Sequence, residues 1–216
     1  MKADEAISQW AQQGENAVPV PWDRMPEIDL YMDQVLTYMH RQLSLFERNE
    51  DNPLLTSSMI NNYVKDALLA RPDRKKYSRE HLASLMMICL LKPILSIPDI
   101  QLLNSNLRQN GSTEEIYTRF VSAQDEALKN VASRLLKNKA KRSADEDLHT
   151  LAMQLTLEAN ACRIAAEKIL EILEQPEPQK EKEKERGKGK SKEAPLPAES
   201  PVENTEDSKQ DIPTES

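Results

Sequence analysis

Leu148, Ala152, Leu155, Ala159, Cys162, Ala166, Ile169 and Leu173 follow one another at steps of 4, 3, 4, 3, 4, 3 and 4. An α-helix gathers residues at that spacing onto one side, whereas a strand would distribute them over both faces, so nearly four heptads here are helical. Four of the eight (Ala152, Ala159, Cys162 and Ala166) are small, which lets a second helix approach closely, as antiparallel pairs do. That second helix has two candidate sources. One is the stripe Ile116, Phe120, Ala123, Ala127, Val131 and Leu135 of the same chain, folded back as a helical hairpin. The other is a second copy, giving a homodimer through the C-terminal helices. Periodicity does not choose between them, and two hairpins joined as a four-helix bundle would satisfy both.

The same period runs through the rest of the chain. Ile28, Met32, Val35, Met39, Leu43 and Phe46 predict a helix beginning near Pro26, followed by the polar loop Glu47 to Pro53. Thr56 is placed as N-cap of a helix through Leu68, with Met59, Ile60, Tyr63, Val64, Ala67 and Leu68 inward. Ser78 opens a helix carrying Leu82, Leu85, Met86, Cys89 and Leu90, which Lys92-Pro93 closes. Ser96 with Asp99 opens another to Leu107, Pro98 being tolerated in the first turn. Ser112-Thr-Glu-Glu115 and Ser143 with Glu146 have capping-box spacing. Upstream, Ala3 to Gln13 forms a short helix stopped by Gly14, and Val18 to Trp22 is extended between its prolines. The expected fold is all-α.

Composition divides this chain. Residues 175–216 contain six of the 13 prolines, two of the four glycines and only five apolar residues, a mixture that cannot bury enough surface to offset ordering entropy. The expected organisation is an N-terminal arm (1–25), a helical domain (26–108), a helical hairpin or dimerisation region (112–174) and a disordered tail (175–216).

Several function classes are disfavoured. The longest apolar run, Leu85 to Leu91, is far short of the ~20 residues that span a bilayer, and Met1-Lys2-Ala3-Asp4 has no apolar signal segment; a cytoplasmic protein with no membrane partner is expected. Cys89 and Cys162 fall in helical patterns without metal-ligand spacing and read as buried thiols. Four glycines form no phosphate-cradling loop, and His40, His81 and His149 have no nucleophile or carboxylate dyad assigned by motif. No metal, cofactor or catalytic residue is expected, and the chain reads as a non-enzyme.

Charge by segment is more informative than the formal total of −7. Residues 1–55 carry −6, residues 56–92 carry +4, and residues 134–142 carry +5 with no acid. The outward positions of the helix after Thr56 are Ser57, Ser58, Asn61, Asn62 and Lys65. A face built only for solvation usually carries Glu, Lys and Arg; Ser and Asn are short and pair with base edges, Asn with adenine above all. The Pro72-Asp73 turn that follows is flanked by Arg71, Arg74, Lys75 and Lys76, with Arg79 beyond it, a small basic hairpin suited to phosphates.

In their order, Ser58-Met-Ile-Asn-Asn-Tyr-Val-Lys-Asp-Ala-Leu-Leu69, the basic hairpin, Tyr77-Ser-Arg-Glu-His-Leu82 and Leu91-Lys-Pro-Ile-Leu-Ser-Ile-Pro-Asp-Ile100 resemble the MerR-type winged helix-turn-helix of bacterial transcription regulators. Pro26 to Leu103 resembles, more closely still, the bacterial family catalogued as domain of unknown function 1836. This chain has Asn61 where the MerR pattern has Arg in the recognition helix, and Ala67 where it has Gly. The resemblance implies a winged helix-turn-helix-like bundle that binds double-stranded DNA as a dimer. Bases would be read by Ser57, Ser58, Asn61, Asn62 and Lys65, and phosphates held by Arg71, Arg74, Lys75, Lys76 and Arg79. The alternative is a helical adaptor whose degenerate helix-turn-helix has become a protein-binding surface.

Overall fold

Every residue from Leu82 to Cys89 is buried, so this segment has no solvent side and must be wrapped by other elements. In the computed structural model, which describes residues 3–15, 18–46, 53–139 and 145–174, that segment belongs to a central helix around which the others are laid. The elements are α1 (Ala3–Glu15), β1 (Leu30–Tyr31), α2 (Met32–Leu43), α3 (Ser57–Lys65), β2 (Lys76–Tyr77), α4 (Arg79–Leu91), α5 (Ile97–Arg108), α6 (Thr113–Lys139) and α7 (Asp145–Glu174). Short 3-10 turns occupy Trp22–Arg24 and Ser44–Phe46. The class is all-α apart from the two short strands.

The main core surrounds α4. Val35, Met39 and Leu43 come from α2, Ile60 and Tyr63 from α3, Tyr77 from β2, Ile100 from α5, Ile116 and Tyr117 from α6, and Leu170 from α7. Tyr117 is fully buried, yet its hydroxyl is satisfied: it donates to the Val20 carbonyl at 2.7 Å and so ties down the N-terminal arm. Burial pushes that hydroxyl's pKa far above its ordinary value. A second, smaller cluster lies where Ala11 of α1 meets Ala132 and Leu135 of α6 and Leu151 of α7. α7 therefore starts beside the end of α6 and returns to the main core at Leu170, an antiparallel course fastened by Arg134 and Glu158 at 2.7 Å.

Several expectations are corrected. The helix expected from Pro26 begins at Met32, because Leu30 and Tyr31 instead pair antiparallel with Tyr77 and Lys76. Ile28, assigned to the buried stripe, is 73% exposed. The basic segment is a minimal hairpin in which Asp73 and Lys76 bridge antiparallel across the tip residues Arg74 and Lys75, so the turn sits two residues later than Pro72-Asp73. Lys76 N–H closes a tight turn on the Asp73 carbonyl at 2.7 Å, and β2 takes β1 as its partner. Only Cys89 is a buried thiol; Cys162 is exposed. The caps read at Thr56 and Ser96 are present, with Thr56 Oγ1 accepting from Met59 N–H at 3.2 Å and Ser96 Oγ from Asp99 N–H at 3.3 Å. The tail, the loop 47–52, the basic residues Lys141 and Arg142 and the Ser143 cap lie outside the described residues, and among the described ones no helix is long and apolar enough to cross a membrane.

The helix expected to reach Leu68 stops at Lys65 because Ala67 turns left-handed, at φ 57°. Ala67 N–H donates to the Val64 carbonyl and Leu69 N–H reaches back to Tyr63 at 2.9 Å, so the closing turn is well bonded despite the Cβ. A side chain costs roughly 1–2 kcal/mol in this conformation, and the added backbone entropy of glycine costs about 0.5–1 kcal/mol. Ala67→Gly is therefore expected to raise stability by about 0.5–1 kcal/mol, read as a higher urea midpoint at unchanged slope.

Candidate nucleic-acid interface

Ile60 and Tyr63 anchor α3 in the core, which leaves its opposite side outward. Ser57, Ser58, Asn61, Asn62 and Lys65 are all exposed on that side. Among the described residues, no hydrogen bond or ion pair engages any of these five side chains. The structure brings together the whole set that the spacing placed on one face.

α3 is held from behind at both ends. The Lys92 ammonium at the end of α4 donates to the Leu54 carbonyl just before α3 and lies 3.4 Å from Met59 Sδ. At the other end, Gln101 Nε2 of α5 donates to the Asp66 carbonyl at 2.5 Å. These two positioning residues were not found in the sequence. Each acts across 35 or more residues, and nothing local distinguishes them from ordinary polar residues near helix ends.

The basic turn lies next along the chain. Arg74 and Lys75 occupy left-handed backbone at φ 46° and 67°, which pushes the turn's tip outward. Arg71, Arg74 and Lys75 are exposed, and none has an ion-pair partner among the described residues. Lys76 is half-buried with its ammonium 5.4 Å from the Tyr31 ring centre. Arg79 has a different role. Its side chain is only 20% exposed, donates to the Met25 carbonyl at 3.3 Å, pairs with Glu27 at 3.4 Å and stacks 5.5 Å from the Trp22 ring centre. It fastens the N-terminal segment to α4 and is not free to grip a phosphate.

Acidic groups border this surface. Asp66 and Asp73 are exposed between α3 and the turn, and Glu27, Asp29 and Asp33 flank β1. At the start of α4, Ser78 N–H donates to His81 Nδ1 at 3.0 Å, and the Ser78 hydroxyl donates to Glu80, holding that carboxyl below its ordinary range.

The eight residues read as a dimer seam are divided by the structure. Leu148, Leu155 and Ala166 are half-buried on the side of α7 that faces its own chain, whereas Ala152, Ala159, Cys162, Ile169 and Leu173 are exposed. Among the described residues, no group of three or more His, Cys, Asp and Glu side chains is arranged to hold a metal ion.

Residues 20–120 match the family described as domain of unknown function (DUF1836), a span that runs from the arm through the core-facing start of α6. No curated protein and no solved structure matches the chain.

Proposed function

We propose that this chain is a sequence-specific DNA-binding regulator of MerR-like winged helix-turn-helix type, in which α3 enters the major groove and the basic turn grips the flanking backbone. The observation that carries the reading is α3 itself: a helix fixed at both ends that presents five short or cationic side chains, none engaged elsewhere among the described residues. In this reading Asn61 and Asn62 pair with adenine edges, Ser57 and Ser58 approach the first bases, and Lys65 reaches guanine or phosphate. Arg71, Arg74 and Lys75 supply phosphate contacts, with Lys76 at the margin. One such module contacts few base pairs, so a homodimer associated through α7 would grip a two-fold site.

The test is selection of bound duplexes from a random library at rising salt. A defined motif that survives high salt supports the reading, and unenriched sequences at every salt concentration overturn it. Asn61→Ala is expected to cost about 1–3 kcal/mol on the selected duplex and to relax preference at one position, leaving non-specific binding unchanged.

The acidic border favours a second reading. Glu27, Asp29, Asp33, Asp66 and Asp73 repel a polyanion where they adjoin the turn, and a mixed-charge surface suits a protein partner. An adaptor of this kind would show no affinity for duplex DNA at low salt.

A further inference from the structure

Asn104, on α5, is a polar side chain that water does not reach. It is only 8% exposed, and its Nδ2 is shielded, with no hydrogen-bond partner among the described residues. Buried donors are almost always bonded, because one left unmade forfeits its hydration for nothing in return. Asn104 borders a hollow of about 220 Å3 enclosed by three helices. Met87 and Leu91 of α4, Leu103 and Leu107 of α5 and Phe120 of α6 wall it, and Arg119 of α6 also lines it. Met87 is buried and Arg119 exposed, so the hollow runs from the core outward to a guanidinium. Arg119 Nε donates to the Glu115 carbonyl at 3.4 Å, and its two terminal nitrogens have no hydrogen-bond or ion-pair partner among the described residues. The nearby Glu115 carboxylate is occupied by Ser112, whose N–H donates to it at 2.8 Å.

We propose that this hollow binds a small apolar monocarboxylate, its hydrocarbon part against the five apolar walls and its carboxylate accepting from Asn104 Nδ2 under the charge of Arg119. The inference is separate from the DNA reading and uses none of the residues assigned there. Each property of the ligand follows from the lining. A hollow of about 220 Å3 is smaller than the ~300–1,000 Å3 that drug-sized molecules fill, which sets the size. One buried donor beside one cation favours an anionic acceptor, since hydrogen bonds to a charged oxygen are the stronger ones. A second negative charge on the ligand would lie against aliphatic and aromatic walls with nothing to pair it, which disfavours phosphates and dicarboxylates. Asn104 also borders another hollow, of about 470 Å3, toward the end of α3. That one is lined by Gln101 and by the exposed Ser105 and Arg108, side chains that water reaches, whereas the shielded Nδ2 belongs with the apolar side.

The full chain, isotope-labelled at its methionine and leucine methyl groups, is titrated with hexanoate, phenylacetate and neutral hexanol and followed by nuclear magnetic resonance. At least one of the two carboxylates is expected to saturate a single site with a Kd of about 0.1–1 mM, moving the methyl signals of Met87, Leu103 and Leu107. Hexanol, which has the chain without the charge, is expected to bind at least ~10-fold more weakly than hexanoate. Asn104→Leu removes the amide at similar volume, and Arg119→Gln removes the cation from an exposed position; each is expected to weaken carboxylate binding at least ~10-fold. Arg108→Gln, on the other hollow, is expected to leave it unchanged. No saturable shift with either carboxylate overturns the proposal and leaves a water molecule as the partner of Asn104. Hexanol binding as tightly as hexanoate overturns it too, as does affinity that survives both Asn104→Leu and Arg119→Gln. Loss through Arg108→Gln but not through Arg119→Gln overturns the location by moving the anion to the other hollow. If Asn104→Leu does not fold, Arg119→Gln and the hexanol comparison still decide. None of these outcomes bears on whether α3 reads DNA.

Discussion

Leu85→Ala is expected to remove about 2–5 kcal/mol of stability, a large share of what a domain of this size possesses. Leu85 is fully buried near the middle of α4, a helix buried on all sides from Leu82 to Cys89. Truncation forfeits the transfer free energy of the lost carbons and leaves a cavity. The surrounding helices cannot collapse into it, because α2, β2 and α6 all pack directly on α4 and constrain one another. Ala is a better helix former than Leu, so any loss is a packing loss and not one of propensity. Urea unfolding followed by far-UV circular dichroism checks this. A shift in midpoint worth under 1 kcal/mol would mean that the core around α4 is looser than its burial implies.

Reversing two charges at the tip of the basic turn, Arg74→Glu with Lys75→Glu, is expected to abolish tight duplex binding regardless of sequence. Both side chains are exposed and have no ion-pair partner among the described residues, so the change breaks no contact described in the fold. Lys76 is left in place because it rests on the Tyr31 ring beside the β1–β2 pair. Each phosphate contact releases counterions, so losing two should lower the slope of log affinity against log salt by about 2. The matching control is Asn61→Ala, which acts on one base position and leaves the slope alone. If the charge reversal changes preference among duplexes without changing the salt slope, the turn is not a phosphate grip.

Much of this arrangement was legible in the residues because it is encoded locally. The caps at Thr56 and Ser96 and the polar face of α3 follow from i, i+3 and i, i+4 spacing, whereas the burial of α4 on every side goes beyond the single stripe that spacing marks. What escaped was encoded at a distance. Residues 26–31 read as helix because Ile28 and Met32 are four apart, yet Leu30 and Tyr31 are claimed by Lys76 and Tyr77, and a two-residue pairing leaves no period to detect. Ala67 disguised the end of α3, since a left-handed turn is normally announced by Gly. Lys92 and Gln101 were missed because the carbonyls they hold lie far off in sequence.

The five outward residues of α3 have a consequence for how such a protein can change. None of their side chains contributes to the core or to the turn that ends the helix, and the helix is located by Thr56, Lys92 and Gln101 instead. Folding and readout therefore draw on separate sets of residues. Exchanging Ser57, Ser58, Asn61, Asn62 and Lys65 as a group would redirect what the surface recognises while leaving stability nearly untouched. By contrast, α4 has almost no position at which the chain can drift without cost. In a scaffold divided this way, new recognition is reached through a handful of surface substitutions, without a detour through less stable intermediates.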